Sequence, residues 1–290
     1  MREVFKEEEK QRTILKPVDF TGIALHTGER VDIRFLPAEV DTGIVFRRTD
    51  LPQNPEISAG PDRVISTRRC TSIGKNEEKV VHTIEHIMAA LWACAVDNII
   101  IEVSGPEPPV ADGSARPYID LLKETGFREL SVPRQIWSVE KALWVRENEM
   151  YIAVFPYDKF KITYTLDYDH PAIGTQFFEF EGDRNYFIEE IASARTFGFK
   201  REVEALHKRG LALGGNLDNA VLIGKETTIN SLRYPDEFVR HKILDLVGDM
   251  YLNGVLRGHI ISVRSGHSLN VELASCIKRS FSNNCEYSQI

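Results

Sequence analysis

The sequence predicts an α+β fold of two similar halves, and three observations carry that prediction. Short alternating stretches read as half-buried strands, two apolar helical patterns each run into a strand ending in Ser-Gly, and 290 residues suffice for two medium domains. When His86 is set over His241, EHIMAALWA lies along RHKILDLVG; IIIEVSG then follows in one half and IISVRSG in the other. The competing explanation is coincidence, because helix-then-strand is a generic order and the helix to Ser-Gly spacing differs between the halves. A duplication would place one histidine on the corresponding helix of each half and a shared site between them.

The elements follow in order. RVDIRFLPA and GIVFRR alternate as half-buried strands, while LPQNPEISAGPD, rich in Pro, Gly and Asn, reads as a loop. Residues 41–78 lengthen the first half and predict an insert. A helix is expected from near Thr83 to about Ala95, then a buried strand at NIIIEVSG, turns through PEPPVADGSARP and a second helix at YIDLLKETG. SVPRQ, residues 131–135, reads as the linker dividing a domain over 1–130 from a second over 131–275. Beyond it YIAVFP and FKITYTLDY read as strands. Residues 193–224 add an amphipathic helical stretch bounded by glycines, an insert of the kind that forms binding loops or lids. HIISVRSG is the last strand, and 276–290 form a tail.

Composition narrows the function classes. With 42% hydrophobic and 27% charged residues the chain is an ordinary folded protein. No apolar run approaches the roughly 18 residues of a membrane span. A net charge of -7 gives no basic footprint for nucleic acid. The charged N-terminus, MREVFKEEEKQR, lacks the apolar centre of a secretory signal, and Cys70, Cys94, Cys276 and Cys285 form no CxxC pair. The expectation is a cytoplasmic protein with reduced thiols.

Three stretches carry candidate chemistry. In VVHTIEHIMAALWA, His82, Glu85 and His86 have the H-x-x-E-H order of one class of zinc peptidase, with two imidazoles four apart on a helix and a carboxylate to activate water. The bland alternative is a capping or packing histidine. In FVRHKILDLVGDMYLNG, Ile243, Leu246, Val247 and Met250 form an apolar stripe, and His241, Asp245 and Asp249 line another face. A solvated face would intersperse cations four residues from the acids, whereas only Lys242 stands beside this row. His241 and Asp245 can hold one cation, and His86 is the natural third ligand. Glu85 is then free to act as general base, and His82 becomes dispensable. In VRSGHSLN, His267 follows Ser-Gly at a strand end, either as a further acid or base held by Asp249 or as a surface loop residue.

Together GIALHTGE, TIEHIMAALWACAVDN, PPVADGSA, SARTFGF, GNLDNAVLIG, LRYPDEFVRHKILDLVGD and RSGHSLN, spanning residues 22 to 270, resemble the bacterial UDP-3-O-acyl-N-acetylglucosamine deacetylase family, the zinc amidase of lipid A synthesis. The resemblance implies zinc, with iron(II) also suited to two histidines and a carboxylate, held by His86, His241 and Asp245. It implies Glu85 as general base, His267 as the acid for the leaving amine with Asp249 behind it, Thr196 on the oxyanion, and Lys242 at the substrate's polar end. Phe197 would lie near the sugar, and Tyr168 in LDYDHPAI is the candidate for stacking on uracil. The implied fold is two β-sheet domains, each with two helices, packed helix layer to helix layer and each carrying an insert. The second insert would form an acyl passage, for which Phe199, Leu206, Leu211 and Leu213 are candidates beside Phe197. The expected partner is the acylated nucleotide sugar alone, the expected state a monomer, and the tail matches nothing in the family.

Overall fold

Alternation along RVDIRFLP resolves into a strand with Val31, Ile33 and Phe35 in the core and Arg30, Asp32 and Arg34 in solvent. The computed structural model describes residues 9–281. In chain order its first part holds β1 (Lys10–Ile14), β2 (Val18–Ile23), β3 (Arg30–Pro37), β4 (Ile44–Arg48), β5 (Glu56–Ser58), β6 (Val64–Ser66), β7 (Ser72–Gly74) and β8 (Val80–Val81). Helix α1 (Glu85–Ala93), β9 (Ile99–Val103), α2 (Arg116–Thr125) and β10 (Phe127–Pro133) follow. Next come β11 (Ile136–Ser138), β12 (Leu143–Glu147), β13 (Met150–Phe155), β14 (Phe160–Tyr168) and β15 (Gly174–Phe180). The last part holds α3 (Arg184–Glu190), β16 (Phe197–Phe199), α4 (Lys200–His207), β17 (Val221–Ile223), α5 (Glu237–Met250), β18 (Val255–Val263) and α6 (His267–Phe281).

The fold is mixed α+β. One sheet has the order β2-β3-β9-β4-β5, with β4 and β9 parallel and its other neighbours antiparallel. Another has the order β12-β13-β18-β14-β15, again with one parallel pair, β14 with β18, and β11 also runs parallel to β18. Parallel neighbours need a crossover connection, and α1 precedes β9 as α5 precedes β18. Helix α1 packs along α5, while α5 and α6 lie on the second sheet. Gly248 makes the α1 to α5 approach possible, since a Cβ there would collide with the Glu85 carbonyl. Trp92 of α1 inserts among Phe160 of β14, Phe180 of β15 and Phe187 of α3, which packs α1 against the second sheet and α3 as well.

Several sequence expectations are corrected by the backbone. Helix α1 begins at Glu85, not near Thr83, because Thr83 takes φ +55° and cannot continue a right-handed turn. LPQNPEISAGPD is not all loop, since Glu56–Ser58 pairs with β4. The stretch 41–78 therefore divides: β4 and β5 belong to the five-stranded sheet, and β6 and β7 join β8, just beyond the stretch, in a three-stranded sheet of their own. SVPRQ is not a free linker. Its first residues end β10, which pairs with β1, and Pro133 is tolerated at the end of a two-stranded ladder. Helix α6 runs to Phe281 and takes in Cys276, so the ordered chain passes the expected tail boundary. The charged start, residues 1–8, and the end, residues 282–290 with Cys285, lie outside the described residues. Cys70, Cys94 and Cys276 are free thiols. No helix among the described residues is long and apolar enough to cross a membrane.

Candidate active site

Helix α5 is buried on nearly every side, so its polar row faces the protein and not solvent: His241, Asp245 and Asp249 are only 3%, 2% and 1% exposed. Burying an imidazole and two carboxylates is costly unless something answers their charge. The i, i+4 spacing puts His241 and Asp245 on one face, and the close α1 contact brings His86 to them. His241 Nε2 lies 3.4 Å and His86 Nε2 3.7 Å from Asp245 Oδ1. That oxygen is buried and has no hydrogen-bond partner, which costs about 1–3 kcal/mol if nothing else binds it. The three ligand atoms lie within 4.8 Å of one another. A cation among them would satisfy the orphaned oxygen.

Charge and tautomer agree with that use. His241 Nδ1 meets the Ala194 carbonyl at 3.0 Å, so it carries the proton and Nε2 presents its lone pair. Burial, with His241 beside it, pushes His86 down to about 3, so its ring is neutral. Burial likewise lowers His241. Burial would raise Asp245, but His241 and Lys242 outweigh it and hold the carboxyl well below the usual range. Lys242 Nζ donates to Asp245 Oδ2 at 2.8 Å, and that partner keeps the ammonium charged despite its burial.

A second pair of groups stands beside this set. Glu85 is 2% exposed, and burial raises its carboxyl to about 8. The backbone N–H of Thr71 donates to its Oε2 at 3.0 Å. His267 is not in a loop; it opens α6 and is 8% exposed. Burial alone would lower it, yet Asp249, 2.9 Å from Nδ1, and Asp245 raise it to about 9. Asp249 is itself fixed by the Thr71 hydroxyl at 2.6 Å and the Asn270 amide at 2.9 Å. The other ring nitrogen, His267 Nε2, is 3.8 Å from Glu85 Oε1 and 3.8 Å from Asp245 Oδ2.

Glu85, His86, His241, Asp245 and His267 line a cleft of about 300 Å³ together with Thr196, Phe197, Phe199, Tyr168 and Lys242. Phe197 lies edge-on to His241 with centroids 6.1 Å apart, and Tyr168 packs on Phe197 and Phe199. At the rim, Arg69 of the β6–β7 turn pairs with Glu202 of α4 at 2.8 Å. Leu206, Leu211 and Leu213 are not among the lining residues: α4 buries no side chain, and Leu213 is 50% exposed. His82 is also apart. It precedes the turn at Thr83 and meets Ser72 Oγ at 2.9 Å, so H-x-x-E-H does not share a helical face here. Thr71, Asn270 and Arg69 were missed by sequence reasoning, since no spacing rule links a loop threonine to acids on remote helices.

Two neutral imidazoles and a carboxylate around an orphaned oxygen, with a carboxyl of raised pKa alongside, are the donors of a metal-dependent hydrolase. Comparison with known proteins gives the family. Residues 11–279 match the family model LpxC, UDP-3-O-acyl N-acetylglycosamine deacetylase. The chain is 45% identical over 270 residues to the UDP-3-O-acyl-N-acetylglucosamine deacetylase of Syntrophotalea carbinolica, covering 92% of this chain and 87% of that protein. It is 43% identical over 269 residues to the protein of that name from Thioalkalivibrio sulfidiphilus (91% and 88% covered) and 40% over 273 residues to that from Pseudoalteromonas atlantica (92% and 90%). The chain belongs to the UDP-3-O-acyl N-acetylglycosamine deacetylase family.

Proposed function

We propose that this protein hydrolyses the acetamide of a UDP-3-O-acyl-N-acetylglucosamine to the free amine and acetate, the committed step of lipid A synthesis. The observation that carries the reading is the buried, unpartnered Asp245 Oδ1 between two imidazole nitrogens, with Glu85 and His267 alongside. Zinc, or iron(II) in its place, held by His86, His241 and Asp245, would polarise the acetamide carbonyl and acidify a water.

The chain's own groups do the rest. Glu85, with its pKa brought toward neutrality by burial, takes a proton from the attacking water. Thr196 donates to the developing oxyanion, and Lys242 meets the polar end of the substrate. His267, held as imidazolium by Asp249, gives a proton to the departing amine through Nε2. Phe197 would flank the sugar and Tyr168 stack on the uracil, with Phe199 toward the acyl chain. We read the chain as two similar α+β domains packed through their helices. On this reading it acts as a monomer in the cytoplasm.

Glu85→Gln tests the assignment. We expect acetate release to fall roughly 10²–10⁴-fold with the metal still bound, the usual range for loss of a general base. An unchanged rate removes Glu85 from that role.

A further inference from the structure

Glu107 takes no part in the chemistry above, yet it is 0% exposed. It lies in the turn between β9 and α2 and accepts three hydrogen bonds from two distant segments. The backbone N–H groups of His26 and Thr27 donate to Oε2 at 2.9 Å and 3.2 Å, and the Thr83 hydroxyl donates to Oε1 at 2.7 Å. Thr83 is a β-branched residue at φ +55°, a conformation that costs on the order of 1–3 kcal/mol and persists only where its surroundings impose it. Directly after it, Ile84 donates its N–H to the Thr71 carbonyl at 3.2 Å, and α1 begins with Glu85 and His86.

The second arm of the same carboxyl reaches the loop after α4. The His26 segment accepts from the loop after α4: Leu213 N–H to the His26 carbonyl at 3.1 Å, Gly214 N–H to the Leu25 carbonyl at 3.0 Å, and Ala212 N–H to His26 Nδ1 at 3.3 Å. One buried carboxyl thus ties the start of α1 to the loop of the second insert.

We propose that Glu107 is a positioning residue: by holding Thr83 in its left-handed turn it aims Glu85 and His86 into the site, and it registers residues 25–27 against the 212–214 loop. The inference rests on the roles proposed above for Glu85 and His86. Glu107→Gln keeps the shape but removes the charge and one acceptor oxygen: an NH₂ facing residues 26–27 leaves two backbone N–H groups without an acceptor, and one facing Thr83 reverses the bond that holds it. Thr83→Val removes the hydroxyl at nearly constant volume, and Thr83→Ser restores it.

The experiment measures melting temperature, zinc affinity by chelator competition, and kcat and KM for acetate release in the wild type, both single variants, the double variant and Thr83→Ser. We expect Glu107→Gln and Thr83→Val each to lower zinc affinity and kcat by roughly 10–100-fold, the scale for groups that orient metal ligands, with KM changing less. The double variant should be no worse than the poorer single, and Thr83→Ser should recover most of the loss. Variants that melt lower but hold zinc and turn over like the wild type would reduce Glu107 to a fastening and overturn the proposal, as would losses that multiply in the double variant. If Glu107→Gln does not fold, Thr83→Val carries the test with Glu107 in place. A wild type that releases no acetate contradicts the proposed function instead, and leaves the zinc comparison to decide the role of Glu107.

Discussion

A cation at the first residue of a helix faces the positive end of the helix dipole, and His267 holds its proton there because Asp249 lies 2.9 Å away. The sign of its pH dependence follows. Its pKa is raised to about 9, so the acid form is present through neutrality and is lost as pH rises through that value. Glu85 must be ionised to accept a proton, so its loss of function lies on the acid side. Acetate release should therefore trace a bell, and His267→Ala should abolish the alkaline limb while lowering the rate roughly 10²–10⁴-fold; a retained alkaline limb would assign it to another group. His82→Ala should leave zinc affinity nearly unchanged, because the ring bonds Ser72 and stands off α1; loss of even a group that only orients a ligand costs roughly 10–100-fold. Loss of the metal would restore the H-x-x-E-H reading. At this scale His241 and Asp245 were legible because i, i+4 spacing is a helix property. Thr71, Asn270 and Glu107 were not, because their partners lie far away in the chain.

Among elements, the α1 to α5 contact decides whether a metal site exists at all, and Gly248 sets its closeness. Alanine in a helix interior is worth about 1 kcal/mol over glycine, so Gly248→Ala would stabilise an unpacked helix. Here its methyl meets the Glu85 carbonyl, and we expect a net loss of about 1–3 kcal/mol, read as a lower melting temperature together with weaker zinc binding. A more stable variant would contradict the close approach. Strands such as RVDIRFLP were legible from alternation because one face is buried. The start of α1 was not, because a left-handed threonine leaves no mark in an apolar helical pattern and is imposed by Glu107 from another segment. Pro133 misled for a related reason: proline marks linkers and strand ends alike.

In the molecule as a whole, two sheets share one strand order, and the α1 to α5 and α5 to α6 contacts bring Glu85, His86, His241, Asp245 and His267 to one cleft. The sequence comparison of EHIMAALWA with RHKILDLVG pointed to this pairing; both helices are buried along almost their whole length and meet each other in the core. The extent of the inserts was obscured, since short edge strands such as β5 look like loops. On the proposed function, a cation on His86, His241 and Asp245 serves amide hydrolysis. The most direct test is acetate release from a UDP-3-O-acyl-N-acetylglucosamine by the purified protein, before and after the metal is stripped and one equivalent of zinc returned. Activity should disappear and come back; release that survives stripping, or metal-replete protein that binds the substrate and never yields acetate, would rule this role of the site out.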